Sequence, residues 1–263
     1  LQMTNKNKIK KEEELKRRQI QESRRKKKRK KKIKFFIKTI LLLGIIIGGI
    51  TFAMISPIFN IKDIQVLNNE QVSSETIISL SELKKEENIF RFNKSKVINK
   101  IKENAYIENV KIHRNITSTV QIEVQEREHC YSADFLGKYA YIDKQGYILE
   151  IAEDRKQKVV LQGMQTPEEQ MTVGNRLNNE DLEKLEDIIK IINAAKEYEL
   201  DTKITSVDMN DKDAYSISIQ EEGKKAYLGD NTNLSNKMLY VNAIMKEEKG
   251  KAGEIFVNGD LNH

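Results

Sequence analysis

Cysteine is almost missing from this chain. Cys130 stands alone among 263 residues, so no intrachain disulfide can form and stability has to come from a packed core. Tryptophan is absent, proline occurs twice and histidine three times. One cysteine and three scattered histidines do not make a metal site, which needs three or four ligands at set spacing. His129 and Cys130 are adjacent, but strand neighbours point to opposite faces, so no thiol–imidazole pair is expected from them. His113 reads as a solvent-side strand residue, and His263 is terminal. Asp208-Met209-Asn210-Asp211-Lys212-Asp213 hints at a calcium loop, yet its sixth position is Asp213 instead of Gly and its twelfth is Ile219 instead of Glu. A polar hairpin turn is the better reading. No serine-nucleophile motif, Gly-rich phosphate loop or paired-carboxylate spacing stands out, so no catalytic residue, cofactor, metal or small-molecule substrate is expected. Asn115-Ile116-Thr117 is a formal glycosylation sequon, of little meaning if the cell is bacterial.

Acidic residues are scarce only at the start. Residues 1–38 hold 18 Lys/Arg and 4 Asp/Glu, whereas 39–263 hold 28 and 36. The overall charge of +6 therefore conceals a tail of +14 and a remainder of −8, and the basic balance is no argument for nucleic-acid binding by the folded part. The tail peaks in nine consecutive cations: Arg24, Arg25, Lys26, Lys27, Lys28, Arg29, Lys30, Lys31 and Lys32. Charge then vanishes for 23 residues, Thr39–Ile61, between Lys38 and Lys62. About 20 apolar residues cross the hydrocarbon core as a helix, so the run is long enough, with Pro57 marking the helix end. The cations on one side only put the N-terminus in the cytoplasm and the C-terminus outside. A cleaved signal peptide fits poorly, because the basic region and the apolar run are both too long and no A-x-A site follows. The cations read first as a topogenic signal and solvated tail, ahead of nucleic acid or anionic lipid as a partner. Gly44-x-x-x-Gly48 has the spacing of a close helix–helix contact in a membrane.

Beyond the span, residues 60–127 have a clear pattern. Ile64 and Val66 alternate with Asp63 and Gln65, as a half-buried strand requires. Ser73 or Ser74 can cap a helix with Ile77, Ile78, Leu80 and Leu83 on its apolar side, and Asn93 a second helix with Val97, Ile98 and Ile101 inward. Val110 and Ile112, then Val120, Ile122 and Val124, alternate with polar residues as two antiparallel strands do. The predicted order is β-α-α-β-β. Past Arg127 come short strands around Ile142-Asp143-Lys144-Gln145-Gly146 and Val159-Val160-Leu161-x-Gly163. A helix is predicted over Asn178–Tyr198, with Leu182, Leu185, Ile188, Ile189, Ile192 and Ala195 as its stripe. Strands at Ile204–Met209, Tyr215–Ile219 and Lys224–Leu228 follow, then a helix with Lys237, Met238 and Val241, and a strand over Gly253–Val257.

That succession resembles the FtsQ/DivIB family of bacterial cell division proteins. The likeness rests on Phe59-Asn60-Ile61-x-x-Ile64-x-Val66, Val72-Ser73, Asn88-Ile89-Phe90, Val110-x-Ile112-x-Arg114 and Ile122-x-Val124-x-Glu126-Arg127, together with the Ile142–Gly146, Val159–Gly163, Tyr227-Leu228-Gly229 and Gly253–Val257 segments. Two departures are visible. Asn115-Ile116-Thr117 stands where the family has Leu-Pro, and only Asn258–His263 remain after the strand that is usually penultimate.

The resemblance implies an α+β architecture. It comprises a basic tail (1–37), a transmembrane helix (38–59), a POTRA domain (60–127) and a mixed β-rich domain with two helices (128–263). It also implies a non-enzymatic scaffold at the division septum, with bitopic partners of the FtsL and DivIC/FtsB type. The family's C-terminal edge pairs with a partner strand, which makes Ile255, Phe256 and Val257 the candidates here, although Ile255 and Val257 individually read first as core-strand residues. Two rival functions need features that are not found. A membrane-anchored cell-wall enzyme needs a nucleophile or metal cluster in 128–263. A POTRA chaperone of protein export is expected to carry repeated POTRA units and a barrel.

Overall fold

In a computed structural model, which describes residues 2–116, 118–220 and 223–259, the cationic and apolar runs form one helix, α1 (Gln2–Ile55). Within it, Arg24–Ile55 is long and apolar enough to cross a membrane and is nowhere buried against the rest of the protein. This fits a single-pass anchor. The helix ends before the uncharged run does. Pro57 opens a 3-10 turn, Pro57–Phe59, and Ile61 is wholly buried in the core of the folded unit that follows. The end of the helix is fixed. The Asn88 side-chain amide donates to the Ala53 carbonyl at 2.9 Å, a helix acceptor whose next-turn partner is Pro57 and so has no N–H to offer, and to the Ser56 carbonyl at 3.4 Å. Phe59 and Ile61 exchange backbone hydrogen bonds with Glu86, Glu87 and Ile89, so no slack joins anchor to fold.

The first unit is β1 (Asp63–Leu67), α2 (Ser74–Ser81), α3 (Lys94–Ile101), β2 (Ile107–Asn115) and β3 (Thr119–Glu126). Ser73 and Asn93 cap the two helices through their side-chain oxygens, which accept from Thr76 N and Lys96 N. The sheet order is β1-β3-β2, with β1 parallel and β2 antiparallel to β3. Val110, Ile112, Val120, Ile122 and Val124 face Ile77, Val97 and Ile101 in one apolar core. The period-two reading of the three strands is what the structure has.

The rest forms a single sheet of eight strands: β4 (Tyr131–Phe135), β5 (Lys138–Ile142), β6 (Ile148–Ala152), β7 (Val159–Gln162), β8 (Ile204–Asp208), β9 (Tyr215–Ile219), β10 (Lys224–Gly229) and β11 (Gly253–Phe256). Their order is β11-β10-β9-β8-β7-β4-β5-β6. Helices α4 (Asn179–Lys196) and α5 (Leu234–Glu247) pack on it and share its core. The α4 stripe is rotated from the sequence reading. Ile191 is fully buried with Leu185, Ile188 and Ala195, while Leu182, Ile189 and Ile192 flank it half-buried.

Two turn glycines have a steric reason. Gly146 has φ +82°, and a Cβ there would run into Leu182. At Gly163, with φ +79°, a Cβ would stand 2.8 Å from Asn210 backbone atoms. Backbone cannot swing aside as a side chain can, so Gly163→Ala is expected to destabilise the protein by about 3 kcal/mol, left-handed strain and clash together. Urea unfolding of the detergent-solubilised chain, followed by circular dichroism, measures it.

Candidate interaction surfaces

The site residues suggested by the sequence fall in three places. In the basic stretch, Arg24 to Lys32 are all exposed along α1. Gly44 and Gly48 lie one turn apart on the same helix with nothing within 4 Å of where a Cβ would sit. That face is open to another helix. The third place is β11.

β11 is the edge of the large sheet, hydrogen-bonded to β10 in parallel. Val257 N donates to Tyr227 O at 3.0 Å. In a parallel ladder the backbone groups of alternate residues face alternate sides, so those of Phe256 and Glu254 point away from β10. Among the described residues no strand pairs with that side. The three candidates separate here. Ile255 and Val257 turn into the core, whereas Phe256 is 63% exposed. Its ring stacks on Tyr227 with centroids 4.8 Å apart and planes 6° from parallel. Tyr227 Oη in turn donates to Glu254 at 2.8 Å. The result is an aromatic ledge beside unpaired backbone. Behind it, the buried Lys237 ammonium donates to the Asp230 carbonyl and carboxylate at 3.0 and 2.9 Å. That bond, with two from Thr232, holds the Asp230 carboxyl down at about 2. Residues 260–263, including His263 and any further edge strand, lie outside the described residues.

The joint between the two sheets was not read from the sequence as a site. Arg127 follows β3, and its guanidinium donates to Asp143 at 2.6 Å and to Gln145 at 3.1 Å. It also lies over the Tyr147 ring at 3.8 Å. The Arg127 and Asp143 side chains are 10% and 4% exposed, a nearly buried ion pair. Asp143 uses its other oxygen to accept from Gln145 N and Tyr147 N, which shapes the turn between β5 and β6.

Beside this pair, Tyr106 Oη donates to Glu150 at 2.6 Å and lies 2.8 Å from His129 Nε2. Its one proton is committed to Glu150, so Tyr106 accepts from His129 Nε2–H. Burial, aided by the Lys156 charge, keeps His129 below its ordinary range against the opposing pull of Glu150. Burial first and the bond to Glu150 second push the Tyr106 phenol up. The only signals in the sequence were the short motifs ending at Arg127 and beginning at Ile142, whose physical tie needed the fold.

His129 and Cys130 lie in the link between β3 and β4, not on a strand as the sequence reading assumed. They take different partners all the same: the Cys130 thiol meets the Glu128 carbonyl at 3.6 Å and the Lys144 backbone. His113 stands 55% exposed, 3.5 Å from Glu123. The Asp208–Asp213 segment is the turn between β8 and β9, closed by Asn210 N to Asp208 and Asp213 N to Asp211. Among the described residues no three His, Cys, Asp or Glu side chains converge as for a metal ion. Thr117 of the sequon lies outside the described residues.

The family model described as POTRA domain, FtsQ-type, matches residues 59–127. The chain is similar to a protein of Clostridium botulinum (strain Hall) named Cell division protein DivIB, 30% identical over 231 residues, which covers 84% of this chain and 87% of that one. Proteins of the same name in Clostridium acetobutylicum and Clostridium tetani are 38% identical over 105 residues and 34% over 118. Those matches cover 40% and 45% of this chain, and 42% and 43% of the relatives, so the chain spans less than half of their length.

Two outcomes are expected at the joint. Arg127→Met leaves the Asp143 carboxylate buried without its cation, at a cost of about 3 kcal/mol in urea unfolding, and adding Asp143→Asn restores part of it. For His129 the folded state prefers the neutral ring, so stability is full above its unfolded value near 6.5 and falls as pH drops through it. Tyr106, Glu150, Lys156 and Lys158 are the ionisable groups around it. The melting temperature of the wild type should fall more between pH 7.5 and 5.5 than that of His129→Gln.

Proposed function

The chain belongs to the FtsQ/DivIB family of cell division proteins, and on that premise we propose that it is a non-enzymatic scaffold of the septal division complex. The Arg24–Lys32 cations hold the N-terminus in the cytoplasm, and the apolar part of α1 crosses the membrane once. Residues 60–127 and 128–263 act outside as a POTRA domain and a partner-presenting β domain. The partners are bitopic division proteins of the FtsL and DivIC/FtsB type. Binding is the whole mechanism: a partner strand extends the large sheet at β11, and its side chains meet the Phe256–Tyr227 ledge. The outer edge of β11, which no strand covers among the described residues, is the observation that carries this reading. Gly44 and Gly48 give the anchor a face for a partner's membrane helix, and the polybasic stretch adds attraction to anionic lipid.

A fluorescent protein fused to the N-terminus and expressed at native level should form a ring at midcell before constriction. Uniform membrane fluorescence would remove the division-site assignment. Phe256→Lys puts a charge on the edge without touching the core. It should leave the chain in the membrane and lower co-purification of the DivIC/FtsB-type partner about tenfold. Undiminished capture would move the binding surface elsewhere.

A further inference from the structure

We infer that Ile58, Phe90 and Ile116, carried by three separate loops, form a contact surface for the bilayer that holds the anchor, so that the first unit rests on the membrane.

The length of the anchor comes first. Its uncharged helical part, the 17 residues from Thr39 to Ile55, is about 26 Å long at ~1.5 Å per residue. The hydrocarbon core is about 30 Å thick. Extending the span at the basic end carries Lys38 into it. At the other end the uncharged sequence continues, but the helix does not, and Ile61 is committed to the protein core. Apolar cover at that boundary therefore has to come from side chains on loops.

Such side chains are there. Of the large hydrophobic residues exposed between Ser56 and Arg127, three sit around the end of the anchor: Ile58 at 66%, Phe90 at 40% and Ile116 at 78% exposed. The fourth, Leu67, ends β1, the strand that leads away from the anchor. Each of the three loops is tied to the Ser56–Lys62 segment. Phe90 meets Phe59 edge to face at 5.4 Å. The β2–β3 turn that carries Ile116 is held by Ser118, whose hydroxyl donates to Ile58 O at 2.9 Å and whose carbonyl accepts from Lys62 N at 2.8 Å. With Asn88 capping the helix, the loops cannot move off while the anchor stays in the bilayer.

The occupant is lipid because the anchor brings it there. Charge does not select it: Lys84, Lys85 and Arg91 rim the Phe90 loop, but Glu86 and Glu87 stand among them. The contact is apolar insertion at the headgroup–acyl boundary, the depth amphipathic surfaces reach in interfacial binding.

The absence of tryptophan makes the test clean. Single variants Phe90→Trp and Ile116→Trp of the full chain are reconstituted into phosphatidylcholine vesicles with and without brominated acyl chains. Phe52→Trp in the anchor and Phe256→Trp on the far edge serve as references. The expected result is blue-shifted emission quenched by bromolipid at 90 and 116, strong quenching at 52 and none at 256. Quenching at 52 with unquenched, red emission at 90 and 116 would overturn the inference while leaving the anchor intact. Blue-shifted emission at 90 and 116 that bromolipid does not quench would overturn it in favour of a protein contact, a second copy of the chain. Absence of quenching at 52 would overturn the anchor and the inference with it.

Discussion

The architecture turns on two adjacent residues at the end of β3. The Glu126 carboxylate reaches back into the first unit and accepts from three successive backbone N–H groups, Glu70, Gln71 and Val72, at 3.1, 2.7 and 3.0 Å. The Arg127 guanidinium reaches forward to Asp143 at 2.6 Å and covers the Tyr147 ring. A carboxylate suits a row of donors and a planar guanidinium suits a carboxylate and an aromatic face. Exchanging the two residues would serve neither side. The pair converts the point where one sheet ends and another begins from a linker into a fixed angle.

A matching constraint lies at the other end of the first unit. Asn88 satisfies the Ala53 carbonyl at the end of the anchor helix and, through its own Oδ1, accepts from Phe90 N at 3.0 Å. The short Asn88-Ile89-Phe90 motif thus does three things at once: it caps the anchor, fills the core with Ile89 and presents an aromatic ring. With both joints set, the position of β11 is referred to the membrane through hydrogen-bonded structure at every step. On the proposed scaffold role, a membrane-anchored partner would meet the edge at a defined height, which lowers the entropy lost on association.

How far the sequence could be read depended on whether one face of an element meets water. The first sheet is covered on one side by α2 and α3, so its strands alternate and were legible residue by residue. β4 was not, because Tyr131, Ser132 and Ala133 are all buried and no polar face marks the strand. On α4 the buried face takes in Ile191, which a stripe drawn through Leu182, Ile189 and Ile192 passes by, since the helix is apolar well beyond its contact surface. The edge strand was legible as a segment, and Ile255 and Val257 as its core-facing residues, but not which of its backbone groups stay open. That follows from its pairing with β10. The interdomain joint was least legible of all. Its members, Tyr106, Arg127, His129, Asp143 and Glu150, come from four stretches of chain, and nothing in their spacing announces that they meet.

The strand order has a metric consequence. The joint to the first unit is made by residues on and beside β5 and β6, at one end of the sheet, and the open edge β11 is at the other. Eight strands leave seven steps of about 4.8 Å between them, or roughly 34 Å along the sheet. The sheet is therefore a ruler as well as a core, graduated in strands. A relative that gained or lost a hairpin between joint and edge would move that edge by close to 10 Å, and on the proposed reading a strand docking there would have to reach correspondingly nearer or farther.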